Sequence, residues 1–252
     1  MKLATWNVNG IRARQAQVQE WIALERPDVV CLQEIKATSD RIPTALCEME
    51  GYWCYWHGGK GYSGVALQVS QTFCPDRPAF SHPDFDYENR IVAVEVVSEL
   101  GPLTVASVYV PNGGKDFPAK MKFLEAMDAY AASYAGAGRA LVMLGDMNVA
   151  RTDRDVHPKE RKPRAIGQLP EERAIIERIL TRGFVDLGRA VDPDNDGLFT
   201  WWAPWRNMRE RNIGWRLDYA LVTDALAARA TACEVRKDIG NSDHAPVVAT
   251  FS

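Results

Sequence analysis

Side chains that could bind a metal ion or move a proton follow five apolar segments of this 252-residue chain. Near its end, Asp243 and His244 stand just before an apolar run at 247–249. A histidine beside a carboxylate can act as an acid or base and can bind a metal. Taken alone, each such residue is more often part of a turn or a helix cap. The other four segments end on Asn7, on Glu34, on Asp146 with Asn148, and on Asp218.

Five polar endings at the same kind of boundary indicate one shared site. Strand ends on one edge of a sheet converge in space, and carboxylates that are brought together repel one another. A bound divalent cation relieves this repulsion. Because oxygen ligands dominate and no histidine or cysteine pair stands at zinc-ligand spacing, the sequence predicts Mg²⁺ or Mn²⁺ rather than zinc.

The elements that position these residues follow from apolar periodicity. Strands are predicted at 3–8, 28–32, 52–56, 63–69, 90–97, 103–110, 139–144, 199–202 and 215–222, and the chain closes on segments 234–238 and 246–251. Helices are predicted at 12–25, 40–49, 117–134 and 170–181. Strands and helices alternate early but hairpins intervene. Residues 1–252 are therefore predicted to form a single α/β domain with mixed sheets.

Composition is that of a globular protein, with 46% hydrophobic and 25% charged residues. The net charge of -3 does not indicate a nucleic-acid-binding protein, so any basic surface must be local. Five cysteines without a close pair predict reduced, buried thiols. The sequence has no long apolar run and begins without a charged leader, so a cytoplasmic protein that does not enter a membrane is expected.

Seven short blocks of the sequence resemble the successive signatures of one enzyme family. They are TWNVNG at 5–10, LQEIK at 32–36, GYSGVA at 61–66, YVPN at 109–112, LGDMNV at 144–149, GWRLDY at 214–219 and SDHAP at 242–246. In this order they are similar to the exonuclease III family of apurinic/apyrimidinic endonucleases. The resemblance covers essentially the whole chain.

The resemblance implies a fold and an activity. The fold would be a four-layered α/β sandwich, with two mixed β-sheets packed face to face, helices outside, and the active site at one end. The activity would be hydrolysis of the DNA phosphodiester 5′ to an abasic site. The 3′–5′ exonuclease, 3′-phosphatase and 3′-phosphodiesterase activities often accompany it. The expected partner is duplex DNA with abasic sites or blocked 3′ ends, bound by a monomer.

The family's catalytic roles carry over to matching residues of this chain. Glu34 would be the main metal ligand, with Asn7 beside it. Asp146 would activate or orient the attacking water, and Asn148 would hold the nucleophile or a phosphoryl oxygen. His244 would donate to the phosphate, and the Asp218 carboxylate would orient its ring. Tyr109 would contact the phosphate or the leaving group. Asp243 would lie near the metal.

One or two Mg²⁺ or Mn²⁺ ions are compatible with these residues. If a second ion binds, it would use Asp146, Asn148 and His244 as ligands, and the general base would then change. Asn9 stands where some members of the family carry Asp, which removes one possible metal carboxylate and leaves Asn9 near the substrate.

Further residues match the family's substrate contacts. Trp201, Trp215 and Leu217 would wall a small apolar pocket that receives a baseless deoxyribose and excludes a base. Trp205 would act as a wedge on the DNA, and Trp202 is predicted to lie in the core. Phosphate contacts are expected from Tyr62, Asn112 and Asn212.

Two basic segments would flank the catalytic cleft and grip phosphates. Residues 151–164 carry six basic and three acidic side chains, and residues 206–216 carry four and one. Solvated surface loops are the alternative interpretation.

Two other functions remain open from the sequence. The same core residues would serve another phosphodiesterase or phosphatase of this superfamily, acting on inositol phosphates, sphingomyelin or undamaged DNA. A catalytically silent DNA-binding module is the third possibility, although every expected catalytic residue is present.

Overall fold

The computed structural model describes all 252 residues. Twelve strands are present in chain order. They are β1 (Lys2–Asn7), β2 (Val29–Gln33), β3 (Tyr52–His57), β4 (Val65–Ser70), β5 (Phe80–Ser81), β6 (Ile91–Ser98), β7 (Gly101–Tyr109), β8 (Ala140–Asp146), β9 (Phe184–Asp186), β10 (Asp218–Thr223), β11 (Ala230–Val235) and β12 (Val247–Phe251).

Six α-helices connect the strands. They are α1 (Ile11–Glu25), α2 (Thr44–Cys47), α3 (Phe117–Gly136), α4 (Pro170–Thr181), α5 (Leu187–Val191) and α6 (Asp224–Ala227). Short 3₁₀ turns lie at Ser39–Arg41, Asp153–Asp155 and Pro158–Glu160. None of the helices is both long and apolar enough to cross a membrane.

The strands form two mixed six-stranded sheets. The first has the order β11-β12-β1-β2-β4-β3, and the second has the order β5-β6-β7-β8-β10-β9. Only β1 with β2 and β7 with β8 run parallel, and α1 and α3 make the crossovers that parallel neighbours require. The predicted mixed sheets are confirmed.

Alternating side chains divide each sheet between a central core and an outer core. In β2, Val29 and Cys31 join the core between the sheets, whereas Val30 and Leu32 pack beneath α1. On the other side, α3 and α4 cover the second sheet with side chains such as Phe123 and Ile176. The result is the four-layered sandwich, with helices outside both sheets.

Three expected elements differ from the structure. The helix expected at 40–49 is broken into a 3₁₀ turn and the four-residue α2, because Pro43 keeps the preceding residue Ile42 extended. The prediction of a strand at 199–202 is wrong as well. Only Trp201 pairs there, through isolated bridges to Trp215 and His244, and the strand expected at 215–222 begins at Asp218.

Several short elements carry too little periodicity to be predicted. They are β5, β9, α5 and α6, each of five residues or fewer. The predicted hairpin is present as β6 and β7, and the long predicted helix is present as α3.

Candidate active site

The predicted polar strand endings meet at one end of the sandwich. Asn7 ends β1 and Asp146 ends β8, while Asp218 starts β10 directly opposite Asp146. The potential ligand atoms of Glu34, Asp146 and His244 lie within 4.8 Å of one another. Residues that are far apart in the sequence therefore converge as expected.

Sharp turns aim these side chains into the site. The backbone φ angles of Glu34 and Asn148 are 51° and 49°, in the left-handed region that residues other than glycine rarely adopt. Such strained positions concentrate at functional sites. His244 is anchored to β1, because its carbonyl accepts the indole N–H of Trp6 at 3.1 Å and the Ser242 hydroxyl donates to the Asn7 carbonyl at 2.7 Å.

Asp146 is the most enclosed carboxylate of the site, and its side chain is fully buried. Its Oδ2 accepts the Asn7 amide N–H at 2.9 Å, and its Oδ1 accepts the backbone N–H of Asn148 at 2.9 Å. Burial raises the pKa of Asp146 to about 7, with His244 opposing and the nearby Asp218 and Glu34 carboxylates adding to the rise. This carboxylate is a stronger base than an ordinary aspartate.

His244 lies between two carboxylates. Its Nδ1 donates to Asp218 Oδ2 at 2.8 Å, and its Nε2 lies 3.8 Å from Asp146 Oδ2. Burial would lower the pKa of His244, but the Asp218 and Asp146 charges outweigh it and raise the pKa to about 10. The imidazole is therefore protonated at neutral pH and can donate a hydrogen bond from Nε2.

Tyr109 contacts the site through Glu34. Its hydroxyl donates to Glu34 Oε1 at 2.8 Å, and burial first, then the Glu34 charge, raises the pKa of the phenol. The buried Arg90 guanidinium stacks 4.5 Å from the centre of the Tyr109 ring. In this structure Tyr109 positions the carboxylate that was predicted to be the main metal ligand.

Sequence reasoning did not assign roles to two lysines that the structure places at the site. Lys36 Nζ lies 2.7 Å from Glu34 Oε2 and donates to Asn9 Oδ1 at 2.6 Å. Its place two residues after Glu34, within the block at 32–36, was the available signal. Lys120 is fully buried beneath Asn148 and donates to its backbone carbonyl at 2.7 Å. Only the long-range fold reveals that contact.

The donor atoms fit a divalent cation. Glu34 and Asp146 supply carboxylate oxygens, and the Asn7 amide donates to both of them. His244 could supply an imidazole nitrogen only after losing its Nε2 proton. Burial raises the pKa of Glu34, but Lys36 and His244 outweigh it and hold the pKa below its ordinary value. Glu34 is thus ionised, as a carboxylate that binds a cation must be.

Asp243 lies beside this cluster but outside it. Its Oδ1 accepts the Asn9 amide N–H at 2.8 Å, and its Oδ2 accepts the Trp201 indole N–H at 3.0 Å. Both oxygens are occupied by side chains, so the geometry favours positioning of Asn9 and Trp201 over metal coordination. The predicted role of Asp243 as a ligand stays a prediction.

The predicted pocket residues lie together next to His244. The rings of Trp201 and Trp215 meet edge to face with centroids 5.8 Å apart, and Trp201 lies 6.5 Å from the His244 ring. Leu217 is buried, and its backbone N–H donates at 3.0 Å to the hydroxyl of Thr200, the residue before Trp201. Trp202 is 1% exposed, as expected for a core residue.

The other predicted DNA contacts have different surroundings. Asn112 donates to Asn148 Oδ1 at 3.3 Å, so it borders the site, and Tyr62 is half exposed beside Arg90. Trp205 is 60% exposed, as a wedge would need to be. The Asn212 oxygen, in contrast, accepts the Trp202 indole N–H at 3.2 Å, so this side chain holds the loop together.

The structure corrects the proposal that the two basic segments are free to grip phosphates. Arg216 is 2% exposed and is paired with Asp155 and Asp186, so its predicted contact with DNA is wrong. Arg209 donates to backbone carbonyls of the 237–242 segment, and Arg151 pairs with Glu177. The exposed basic side chains of the two segments are Arg154, Lys159, Arg161, Lys162, Arg164, Arg206 and Arg211, of which Arg154 pairs with Asp196.

Comparison with known proteins agrees with this geometry. A model of the endonuclease/exonuclease/phosphatase family matches residues 4–244. Over 266 residues, the sequence is 34% identical to exodeoxyribonuclease III of Haemophilus influenzae, and the match covers all of both chains.

The chain belongs to the exodeoxyribonuclease III family.

Other members of the exodeoxyribonuclease III family extend the likeness. The chain is 32% identical to Recombination repair protein 1 of Drosophila melanogaster, but it spans only 37% of that longer protein. Its fold matches the 3′ phosphatase NExo from Neisseria bound to product DNA hairpin, with a TM-score of 0.89, 32% identity and coverage of 100% and 99%. An AP endonuclease from Archaeoglobus fulgidus matches with a TM-score of 0.88, 30% identity and the same coverage. The expected fold class is confirmed.

Proposed function

We propose that the protein is a DNA-repair nuclease that hydrolyses the phosphodiester 5′ to abasic sites in duplex DNA, with 3′–5′ exonuclease and 3′-phosphatase or phosphodiesterase activity. One observation carries the proposal. Glu34, Asp146 and His244, from three distant parts of the chain, present their ligand atoms within 4.8 Å of one another. The exodeoxyribonuclease III and AP endonuclease relatives support the substrate class.

Metal binding involves the enclosed carboxylates. Glu34, with Asn7 beside it, would hold one Mg²⁺ or Mn²⁺. A second ion would use Asp146, Asn148 and His244, which would require His244 to lose its Nε2 proton and would change the general base. A bound ion supplies neutralisation of the charge on the phosphoryl oxygens. Tyr109 and Asn7 both donate to Glu34 Oε1, and these bonds fix the direction of the carboxylate.

With one ion bound, Asp146 is the group that orients and deprotonates the attacking water. Burial raises its pKa above that of an ordinary aspartate, so it accepts a proton more readily. Asn148 holds Asp146 through its backbone N–H and its side-chain amide, at 2.9 Å and 3.2 Å. The same amide would contact the nucleophile or a phosphoryl oxygen.

His244 stabilises negative charge on the phosphate. It is protonated, and Asp218 fixes its ring through Nδ1, so Nε2–H points a preorganised donor at the scissile group. This arrangement follows the carboxylate–imidazole logic of other hydrolases. Tyr109 would contact the phosphate or leaving oxygen only after its hydroxyl leaves Glu34.

Selectivity for abasic sites would come from the wall formed by Trp201, Trp215 and Leu217. The two indoles meet edge to face beside His244, so an apolar surface adjoins the reacting group. A bare sugar would fit against this surface and a base would be excluded.

The protein would act as a monomer in the cytoplasm. Support for that location comes from its five cysteines, which are all free, although only Cys31 and Cys233 are buried as expected.

Removal of 3′ phosphates is the second candidate for the principal reaction. The observation that favours it is the close structural match to the Neisseria 3′ phosphatase. The same metal ligands and His244 would serve this reaction, because it also breaks a P–O bond by attack of water. The two candidates differ in the group that occupies the pocket beside Trp201.

One panel of substrates separates these functions. Duplexes that carry a single abasic-site analogue, a 3′ phosphate or no damage would be compared at fixed salt with Mg²⁺. The expected result is rapid nicking 5′ to the abasic site and slow cleavage of the intact duplex. Equal cleavage of the intact duplex would reject the specificity, and turnover of the 3′ phosphate alone would establish the second candidate.

A further inference from the structure

A second cluster of potential metal ligands lies outside the active site. His57 ends β3, His82 follows β5, and Asp86 lies in the loop before β6. One ligand atom from each lies within 4.8 Å of the other two. Because β3 and β5 are edge strands of the two sheets, the cluster bridges the sheets along their open edge.

Neighbouring backbone groups orient two of these side chains. His82 Nδ1 lies 3.3 Å from the carbonyl oxygen of Ile91, which can only accept, so this nitrogen carries the proton and Nε2 carries the lone pair. Asp86 Oδ1 accepts the backbone N–H groups of Arg90 and Ile91 at 2.8 Å and 3.1 Å. Its Oδ2 is left facing His57 Nε2 at 2.5 Å. Hydrogen bonds of this kind commonly fix histidine and carboxylate ligands around a metal.

We propose that His57, His82 and Asp86 form a second metal site, which takes Zn²⁺ or a transition-metal ion of similar preference. Two imidazole nitrogens and one carboxylate oxygen are donors typical of zinc, whereas Mg²⁺ prefers oxygen alone. His82 is exposed, so solvent water can complete a tetrahedral shell. The sequence hid this site, because its ligands come from the end of β3 and from the loop between β5 and β6 rather than from a close histidine pair.

Local movement is needed to admit the ion, because the His57 and His82 rings pack with their centroids 3.9 Å apart. Zinc bonds of about 2.0–2.2 Å place tetrahedral ligand atoms roughly 3.3 Å apart. His57 Nε2 and Asp86 Oδ2 must therefore separate by roughly 0.8 Å. The His82 ligand atom lies within 4.8 Å of each of them, and these two distances stay the same or shorten. The hydrogen bond between the Tyr55 hydroxyl and His82 Nε2, 2.7 Å long, is exchanged for the metal bond.

The consequence of occupancy is structural. The ion would tie the edge strand of the first sheet to the segment that leads into β6. Through Asp86 it would fix the backbone of Arg90, whose guanidinium lies against the rings of Tyr109 and Tyr62. Filling the site should therefore raise the melting temperature, since an ion that binds only the folded state stabilises it.

The test uses the full chain after removal of metal with EDTA and desalting. Zn²⁺ stoichiometry is measured by equilibrium dialysis, and Co²⁺ is added to a second sample as a spectroscopic probe. The variants are His82→Ala, at an exposed position, and His57→Gln. His157→Gln is the matched control, because it removes a histidine that belongs to neither cluster. An Asp146→Asn variant identifies ions bound in the active site.

Wild type, His157→Gln and Asp146→Asn should show the visible absorption of tetrahedral Co²⁺ and a rise in melting temperature with Zn²⁺. His82→Ala and His57→Gln should lose one equivalent of Zn²⁺, or bind it at least ~10-fold more weakly, together with the Co²⁺ signal. Unchanged Zn²⁺ stoichiometry and affinity in folded His82→Ala would overturn the proposal. Loss of the tetrahedral signal in Asp146→Asn alone would also overturn it, by assigning the signal to the active site.

Discussion

Replacing Lys120 with Met should damage both stability and catalysis, because this lysine joins the buried core to the catalytic loop. Lys120 and Glu172 are both fully buried, with Nζ 2.5 Å from Glu172 Oε1. The same ammonium donates to the carbonyls of Asn148 and Asn112 at 2.7 Å and 3.2 Å. Methionine conserves the volume of the side chain but removes the charge and all three contacts.

The expected size of the effect follows from this environment. Removing one partner of a buried ion pair typically costs about 3–5 kcal/mol, because the other charge stays buried. Glu172 Oε2 keeps the backbone N–H groups of Gly167 and Leu169, at 2.7 Å and 3.0 Å, so the lower end of about 3 kcal/mol is expected. Asn148 loses its anchor, and a catalytic group displaced by about 1 Å can cost ~10²-fold in rate.

Urea unfolding followed by tryptophan fluorescence measures the stability, and nicking of an abasic-site duplex measures the activity. Lys122→Met is the matched control, because Lys122 is exposed on the same helix. Adding Glu172→Gln to Lys120→Met should recover part of the lost stability, since it removes the unpaired charge. A Lys120→Met variant within about 1 kcal/mol of wild type and with full activity would refute the reasoning.

Three further predictions concern the site and its support. Asp146→Asn should slow nicking by ~10²-fold or more with unchanged urea unfolding; a rate within threefold of wild type would contradict its role. Trp201→Ala should raise the cleavage rate of intact duplex relative to abasic duplex, and an unchanged ratio would exclude the pocket. Burial raises the pKa of Asp155, but Arg216 and Arg189 outweigh it and lower the pKa to about 2. Asp155 therefore contributes about 2 kcal/mol above pH 4 that is lost as the pH falls towards 2. The stability gap between wild type and Asp155→Asn should narrow over that range, and a constant gap would contradict the assignment.

Much of the fold was predictable because long apolar runs report burial directly. The five residues of β2 are all buried. The apolar periodicity predicted a helix at 117–134, and α3 spans Phe117–Gly136. The segment at 199–202 was misjudged for a physical reason. Its tryptophans pack beside His244 and in a small core rather than in a sheet, and apolar character alone cannot distinguish these environments.

The candidate site was predictable in its residues but not in its electrostatics. Strand endings identified Glu34 and Asp146, because polar residues at buried strand ends are costly unless they are used. Arg216 pairs with Asp155 and Asp186, which are far from it in the sequence. The net charge of a segment does not show such pairing, so a buried arginine was predicted to lie on the surface. Lys120 was hidden in the same way within an amphipathic helix.

The central claim is that distant polar side chains hold a cation on which phosphodiester hydrolysis depends. The most direct measurement is the Mg²⁺ dependence of nicking of an abasic-site duplex, in metal-free wild type and in Glu34→Gln. Wild type should be inactive until Mg²⁺ is added, and Glu34→Gln should require at least ~10-fold more Mg²⁺ for half of its maximal rate. Full activity of the metal-free protein, or an identical Mg²⁺ requirement in the two proteins, would contradict the claim.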